Sequence, residues 1–368
     1  MVIRRETRRG LLRNNTKVVY VGSVPVGGGH PVVLESMTNT DTRDVKSTVK
    51  QIHKLQEAGC EIIRVAVPDS EAAAAICAIK REISIPLIAD IHFNYLLAIE
   101  SIKHGADKLR INPGNIGSED RISQVARAAK SAEIPIRVGI NGGSLEKEIL
   151  SRYGGVTPEG LAESALKNVG LLEKFGFDNI VTSIKVSNVN KMIEANKILA
   201  SRIPYPIHVG LTEAGTPLSG AIRSAAGLGV LLSLGIGDTI RVSLSGDPLN
   251  EIQAAKLILS ALDIRKFGVD VIACPTCGRT GINVAELAEK IESYLAHIKT
   301  PLTVAVMGCV VNGPGEAKEA DIGVAGGNGA SALFKKGEIL RNVNENEIFE
   351  AIIQEVANME AEFIAARK

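Results

Sequence analysis

Three cysteines late in the chain and five cations in its first two-thirds are the residues whose types and spacing point to chemistry. Cys274-Pro-Thr-Cys277 is a CxxC pair in a strand-to-turn context, and Cys309 follows in MGCVVNGPGE, close to a Gly-Pro-Gly turn. A CxxC pair alone allows zinc, a redox dithiol or an iron–sulfur cluster. A dithiol would leave Cys309 without a role, and no fourth cysteine follows. Three thiolates suit a cluster whose fourth iron has a different ligand, and Glu316 downstream of Cys309 offers an exchangeable oxygen. Zinc held by three thiolates plus one Glu or His is the alternative. Cys60 follows a helix-ending glycine and Cys77 sits in an Ala-rich helix, so both are expected to pack as small apolar residues.

Arg64, Arg110, Arg137, Lys185 and Arg241 each fall near the C-terminal end of a different β-rich run, with Asn112, Asn141 and Ser243 beside them. One such Arg is as often half of a structural ion pair as a ligand contact. Five gathered at one mouth repel each other unless an anion neutralises them. Arg forks match phosphate oxygens bidentately and Lys adds a point charge, so the expected ligand is small and carries more than one phosphate charge. Glu213, in GLTEAG, is placed to deliver or accept protons among these cations, or else to pair with one of them. Asp90 and His92 either orient the substrate or hold structure.

Such residues need elements to position them. Strands are expected at PVVLES, IIRVAV, PLIADIHF, KLRIN, PIRVGIN, NIVTSIK, YPIHVGL and TIRVSLS, alternating with eight helical stretches. Strict alternation implies a parallel sheet, and eight units match a closed (β/α)8 TIM barrel, whose chemistry lies at the C-terminal strand ends. An open doubly wound sheet is the competitor, but no Gly-rich dinucleotide fingerprint follows the first strand. VVYVGSVPVGGGH reads as a hairpin plugging the barrel base. The long connection over about residues 141–158 reads as a substrate lid. After residue 265 the pattern changes to a smaller α+β domain. The expected division is therefore 1–265, a substrate-binding barrel, and 266–368, the domain of the three cysteines.

The chain has 368 residues, with 42 Lys plus Arg against 41 Asp plus Glu. A net charge of +1 gives no general positive field for nucleic acid, and 3% aromatics without Trp gives no base-stacking platform. No apolar run approaches a membrane span, and the Arg-rich start lacks the apolar core of a secretory signal. Five cysteines in such a chain read as metal, redox or buried thiols in a cytoplasmic setting.

SMTNTDT, IADIHFN, LRINPGNIG, IRVGINGGSL, HVGLTEAG, IRVSLSGDP, CPTCGR and MGCVVNGPGEAKEADIGVAGG together cover most of the chain. In these motifs the sequence closely resembles the bacterial two-domain 4-hydroxy-3-methylbut-2-enyl diphosphate synthase family. The resemblance implies an iron–sulfur oxidoreductase of isoprenoid biosynthesis that opens 2-C-methyl-D-erythritol 2,4-cyclodiphosphate reductively. It implies a 4Fe–4S cluster on Cys274, Cys277 and Cys309 with Glu316 as the resting fourth ligand. It places substrate contacts on Arg64, Arg110, Arg137, Asn141, Lys185, Arg241 and Ser243, the acid–base carboxylate on Glu213 and a cluster-side polar contact on Asn312. A flavodoxin or ferredoxin is the implied electron donor.

The last barrel helix runs back toward the base, and only about seven residues lead from it to the second domain, roughly 25 Å at full extension. A head-to-tail homodimer is the expectation, each cluster domain covering the partner's barrel mouth. Two other classes stay open at this point. One is a zinc-stabilised lyase or aldolase on a phosphosugar, with Lys185 as Schiff-base amine; the other is a non-catalytic iron–sulfur carrier.

Overall fold

The structure, a computed structural model, describes residues 4–6, 12–309, 315, 318–327 and 329–366. The chain forms two compact units, Met1–Arg265 and Lys266–Lys368.

The first unit is a parallel eight-stranded barrel. Barrel strands 1 to 8 are Val33–Met37, Ile62–Ala66, Leu87–Ile91, Lys108–Ile111, Ile136–Asn141, Ile180–Lys185, His208–Val209 and Thr239–Ile240. Each pairs with the next, strand 8 pairs with strand 1, and a bridge between Thr182 and Ile207 closes the ring from strand 6 to strand 7. The expected strand order and positions hold, and the ring is closed rather than open.

The helices between strands start where short polar side chains can cap them. Asp44 accepts from the Ser47 amide ahead of Val45–Glu57, and Asp69, Asn94, Thr157 and Asn188 do the same for later helices. Gly59, at φ +108°, turns the chain after the first of them. The hairpin Val19–Val21/Val24–Val26 packs Val21 and Val26 against Val33, Ile62 and Ile88 at the strand starts, so it plugs the base.

Two details differ from expectation. Strands 7 and 8 keep only two ladder residues each. Beyond Arg241, whose amide still bonds the Val209 carbonyl, the Leu244 amide is taken by the Glu251 carboxylate and the Ser245 amide by Gly215. The connection after strand 5 is not an open loop. It holds a 3-10 turn, Gly142–Ser144, and a helix, Lys147–Tyr153. Glu146 ties it down by accepting from Ser164 Oγ at 2.6 Å, and Asn112 Nδ2 donates to Ser144 Oγ at 2.9 Å.

The second unit is a five-stranded sheet in chain order. Asp270–Ala273, Thr303–Met307 and Ile322–Ala325 run parallel, and the hairpin Ser331–Lys335/Glu338–Val343 completes the sheet. Helices Val284–Leu295 and Ile348–Ala365 bury Ile291, Leu295, Ile352 and Val356 against Val304, Val306, Val324 and Leu333. That hairpin was not expected from the sequence. Lys336 and Gly337 both adopt positive φ at its turn, the twist-matched geometry that Asn-Gly usually announces. No helix among the described residues is long and apolar enough to cross a membrane.

Candidate active site

TIM-barrel interiors are ordinarily filled by branched apolar side chains. This one is charged. Strand alternation aims residues i, i+2 and i+4 at one face, which puts Lys108, Arg110 and Asn112 on one line and Arg137, Gly139 and Asn141 on the next. In the lower layer the fully buried Glu35 accepts from Arg137 Nη1 at 2.7 and 2.8 Å. Lys108 Nζ stands 3.4 Å from Glu35, and Arg64 Nε 4.0 Å. Burial raises the Glu35 carboxyl, but Arg137, Lys108 and Arg64 outweigh it and hold it well below the usual carboxylate range. Burial, against the pull of Glu35, brings the Lys108 amine down to about 8. His208, pushed well below its ordinary value by burial, is neutral and shares a 2.7 Å hydrogen bond with Thr239 Oγ1.

The upper layer lies at the strand ends. Asp90 accepts from Arg110 Nη1 at 3.0 Å and lies 3.7 Å from Arg64 Nη1. Burial raises its carboxyl, but Arg64, His92 and Arg110 more than offset this and keep it ionised. Asn141, its amide oriented by its partners, accepts from Arg110 Nη2 at 3.2 Å. Arg241 lies on Glu251, which also accepts from Ser36 Oγ and the Leu244 amide. Lys185 Nζ is buried and has no hydrogen-bond partner among the described residues. Two glycines make room for this layer. A Cβ at Gly139 would stand 2.7 Å from Arg110 Nε, and one at Gly210 would press on the Arg241 carbonyl and stand 3.0 Å from Lys185 Nζ.

Arg64, Arg110, Lys185 and Arg241 thus gather at the strand ends, whereas Arg137 lies one layer down on Glu35. Ser243 is half-buried in the segment leaving strand 8. Glu213, exposed and at φ +54°, lines a cavity of about 560 Å³ with His92, Arg110, Asn112, Asn141 and Thr212. Sequence reasoning missed Glu35, Lys108 and Glu251. Their signal was a charged residue inside an otherwise apolar strand or on the inner face of a helix. The cations are therefore partly neutralised from within: six of them, Lys108 included, face Glu35, Asp90 and Glu251. A positive surplus remains.

In the second unit, the pairing of Ala273 with Val306 sets Cys274 and Cys309 just beyond the ends of adjacent parallel strands, with Cys277 on the following turn. That turn is held by the Cys277 amide donating to Thr280 Oγ1 at 3.0 Å, with Thr276 at φ +62°. Cys277 is exposed, whereas Cys274 and Cys309 are half-buried. Soft thiolate donors at one sheet end fit an iron–sulfur cluster or zinc. Among the described residues no three His, Cys, Asp or Glu side chains stand together within metal-binding range. Glu316 and Asn312 lie outside the described residues. Cys60 is buried, its thiol pushed up to about 12 by burial, as befits a packing residue.

Residues 16–256 match the GcpE TIM-barrel domain and residues 270–358 the GcpE protein C-terminal domain. The chain belongs to the GcpE family. It is 59% identical over 348 residues to a 4-hydroxy-3-methylbut-2-en-1-yl diphosphate synthase (flavodoxin) of Caldanaerobacter subterraneus, across 95% of this chain and 98% of that protein. A synthase of the same name from Clostridium tetani is 55% identical over 94% of this chain and 99% of its own length. These relatives do not support the zinc-lyase or carrier readings. The HPPK-DHPS of Plasmodium falciparum, with a TM-score of 0.50 at 11% identity over 67% of this chain and 50% of its own, shares the fold alone.

Proposed function

We propose that this GcpE-family chain converts 2-C-methyl-D-erythritol 2,4-cyclodiphosphate to 4-hydroxy-3-methylbut-2-enyl diphosphate in isoprenoid biosynthesis, as an iron–sulfur oxidoreductase. The observation that carries the reading is the buried positive surplus at the strand ends, with Lys185 Nζ left unpartnered. A cyclic diphosphate brings the two negative charges that this surplus calls for. Arg64, Arg110, Lys185 and Arg241 hold its phosphoryl oxygens, Arg137 supports them from below, and Asn141 and Ser243 contact its polar edge. Held in a water-poor barrel mouth, these charges interact far more strongly than in solution.

Cys274, Cys277 and Cys309 are the residues that would hold a 4Fe–4S cluster, with Glu316 as the resting fourth ligand and Asn312 beside it. When bound, such a cluster supplies electrons one at a time from reduced flavodoxin, or from a ferredoxin in its place. Overall, two electrons enter, the ring opens at a carbon–oxygen bond to phosphate, and a hydroxyl leaves as water. Glu213, at the rim of the cavity, supplies the proton that the departing hydroxyl needs.

Met1–Arg265 is the substrate-binding domain and Lys266–Lys368 the cluster domain. The protein works in the cytoplasm as a head-to-tail homodimer, without nucleic acid or membrane. Supporting the dimer, Arg265 is held by Glu61 and the Val32 carbonyl at the barrel base, which leaves residues 266–269, about 14 Å extended, before the next strand. Anaerobic purification followed by assay with the cyclodiphosphate and reduced flavodoxin tests the function. A brown protein that forms the product is expected, with iron and activity lost together in Cys309→Ser. A colourless, zinc-loaded protein, or no conversion, overturns the reading.

A further inference from the structure

Among the described residues, Lys185 is the one cation of the strand-end layer with neither a hydrogen bond nor an ion pair; Arg64, also without a hydrogen bond, still lies 3.7 Å from Asp90. It ends barrel strand 6, opposite Asn141 on strand 5, and the residue is only 7% exposed. Its surroundings are cationic on nearly every side. Strand 2 contributes Arg64, strand 5 Arg137 and strand 8 Arg241; strand 7 contributes the neutral His208 and Gly210; strand 1 contributes Glu35. Lys191, on the helix after strand 6, donates away from it to the Val156 carbonyl, and Glu213 lines the cavity beyond Val186. The nearby carboxylates are committed elsewhere. Glu35 lies on Arg137 at 2.7 Å, Asp90 on Arg110 at 3.0 Å and Glu251 on Arg241 at 3.2 Å. An ammonium here would be desolvated, without an acceptor, and beside three guanidinium groups that cannot shed their own charge.

We propose that Lys185 stands as a neutral amine in the substrate-free enzyme and takes up one proton from solvent as the cyclic diphosphate binds, so that substrate capture is proton-coupled. This rests on the substrate assigned above. The step balances simply: R–NH2 plus H+ gives R–NH3+, and no bond of the substrate changes. Burial first, then Arg64, Arg241 and Arg137, hold the free amine well below its ordinary value. A dianion seated among the same groups reverses that balance. The arrangement spares the empty site one unit of self-repulsion and supplies the charge only when its partner arrives. It also selects for dianions over monoanions, since a single negative charge would be met by the guanidinium groups already present.

The ligand itself does not confuse the measurement. In a cyclic diphosphate each phosphorus bears one strongly acidic oxygen, so neither titrates near neutrality, and any proton taken up belongs to the protein. The test is calorimetric titration of the anaerobic holoenzyme with the cyclodiphosphate, without electron donor so that nothing turns over. It is run at one pH near 7.5 in buffers of different ionisation enthalpy. The expected slope of observed heat against buffer enthalpy is one proton taken up per site. The affinity should then fall about tenfold for each pH unit above the pKa of the free amine. Lys185→Arg, charged throughout, and Lys185→Met, neutral throughout, should both bring the uptake to zero; the second serves if the first does not fold. Saturable binding with no uptake in the unaltered enzyme overturns the proposal and leaves the substrate assignment standing. Uptake that persists in the variants also overturns it, and assigns the proton to His208 or Lys108. The absence of saturable binding overturns the substrate assignment and this inference together.

Discussion

Replacing Glu35 with Gln should destabilise the barrel far more than an ordinary polar substitution. Among the described residues Glu35 is the only acceptor on Arg137 Nη1, and it also faces Lys108 and Arg64 in a layer closed to solvent. An amide keeps the shape but removes the charge, leaving buried cations uncompensated. Removing one partner of a buried ion pair typically costs about 3–5 kcal/mol. Lys108 softens the loss, because an amine already brought down to about 8 can shed its proton when its counter-ion goes. The expectation is therefore the lower end, about 3 kcal/mol, or a fall of roughly 6–12 °C in the barrel transition at this size. Differential scanning calorimetry reads the two units together, and far-UV dichroism of the barrel helices checks the assignment. The pH dependence follows from the sign of the shift. A carboxyl held lower in the folded chain than in the unfolded one stabilises fully above the unfolded value, about 4.3, and loses that stabilisation as pH falls through the folded value. The gap between the two proteins should accordingly be full at pH 7 and narrow below pH 4. A barrel transition within 2 °C of the original at pH 7 would refute the reasoning, since those cations would then need no internal counter-ion.

Glu213→Gln should lower turnover by about 10²- to 10⁴-fold, the range expected for loss of a positioned acid, while the heat of substrate binding is unchanged. A fully active variant would remove Glu213 from proton transfer. Gly139→Ala places a methyl 2.7 Å from Arg110 Nε and should push the guanidinium off Asp90 without unfolding the strand. The loss of one charge-assisted contact, about 1.5–3 kcal/mol, corresponds to a KM raised roughly 10- to 100-fold in steady-state kinetics. An unchanged KM would show that Arg110 does not hold the substrate.

The barrel was legible because two periodicities alternate cleanly along it. Apolar β-rich runs and capped helical stretches follow each other eight times, and Asp44, Asp69 and Asn94 mark helix starts by a local rule that tertiary context did not disturb. The strand-end cations were legible for a similar reason, since chain order in a barrel fixes which end of each strand carries the chemistry. The pairing of those cations was not. Which charge faces which depends on strand register and on layer height, and neither is local. KLRIN shows Lys108, Arg110 and Asn112 at steps of two, which is enough to place them on one face, but nothing in the run says that Lys108 reaches Glu35 on a strand 73 residues earlier. Glu251 was hidden in the same way, since nothing in its helix says that Arg241 and the Leu244 amide use its carboxylate. The hairpin near the C-terminus was obscured because its turn puts Lys, rather than Asn, at a positive φ.

That hidden pairing changes what the cation ring means. Taken alone, five like charges at one mouth demand an external anion merely to coexist. With Glu35, Asp90 and Glu251 in place, the guanidinium groups of Arg137, Arg110 and Arg241 are held in position before any ligand arrives, so little rearrangement is needed when one does. Full neutralisation would have abolished the site, because a diphosphate would then have to displace carboxylates to enter. The interior instead stops short: each carboxylate anchors a guanidinium, and Lys185, the titratable cation of the strand-end layer, is left with none among the described residues. Rigid, permanently charged groups shape the site. The group that can change its charge is the one placed where substrate charge is needed to justify it.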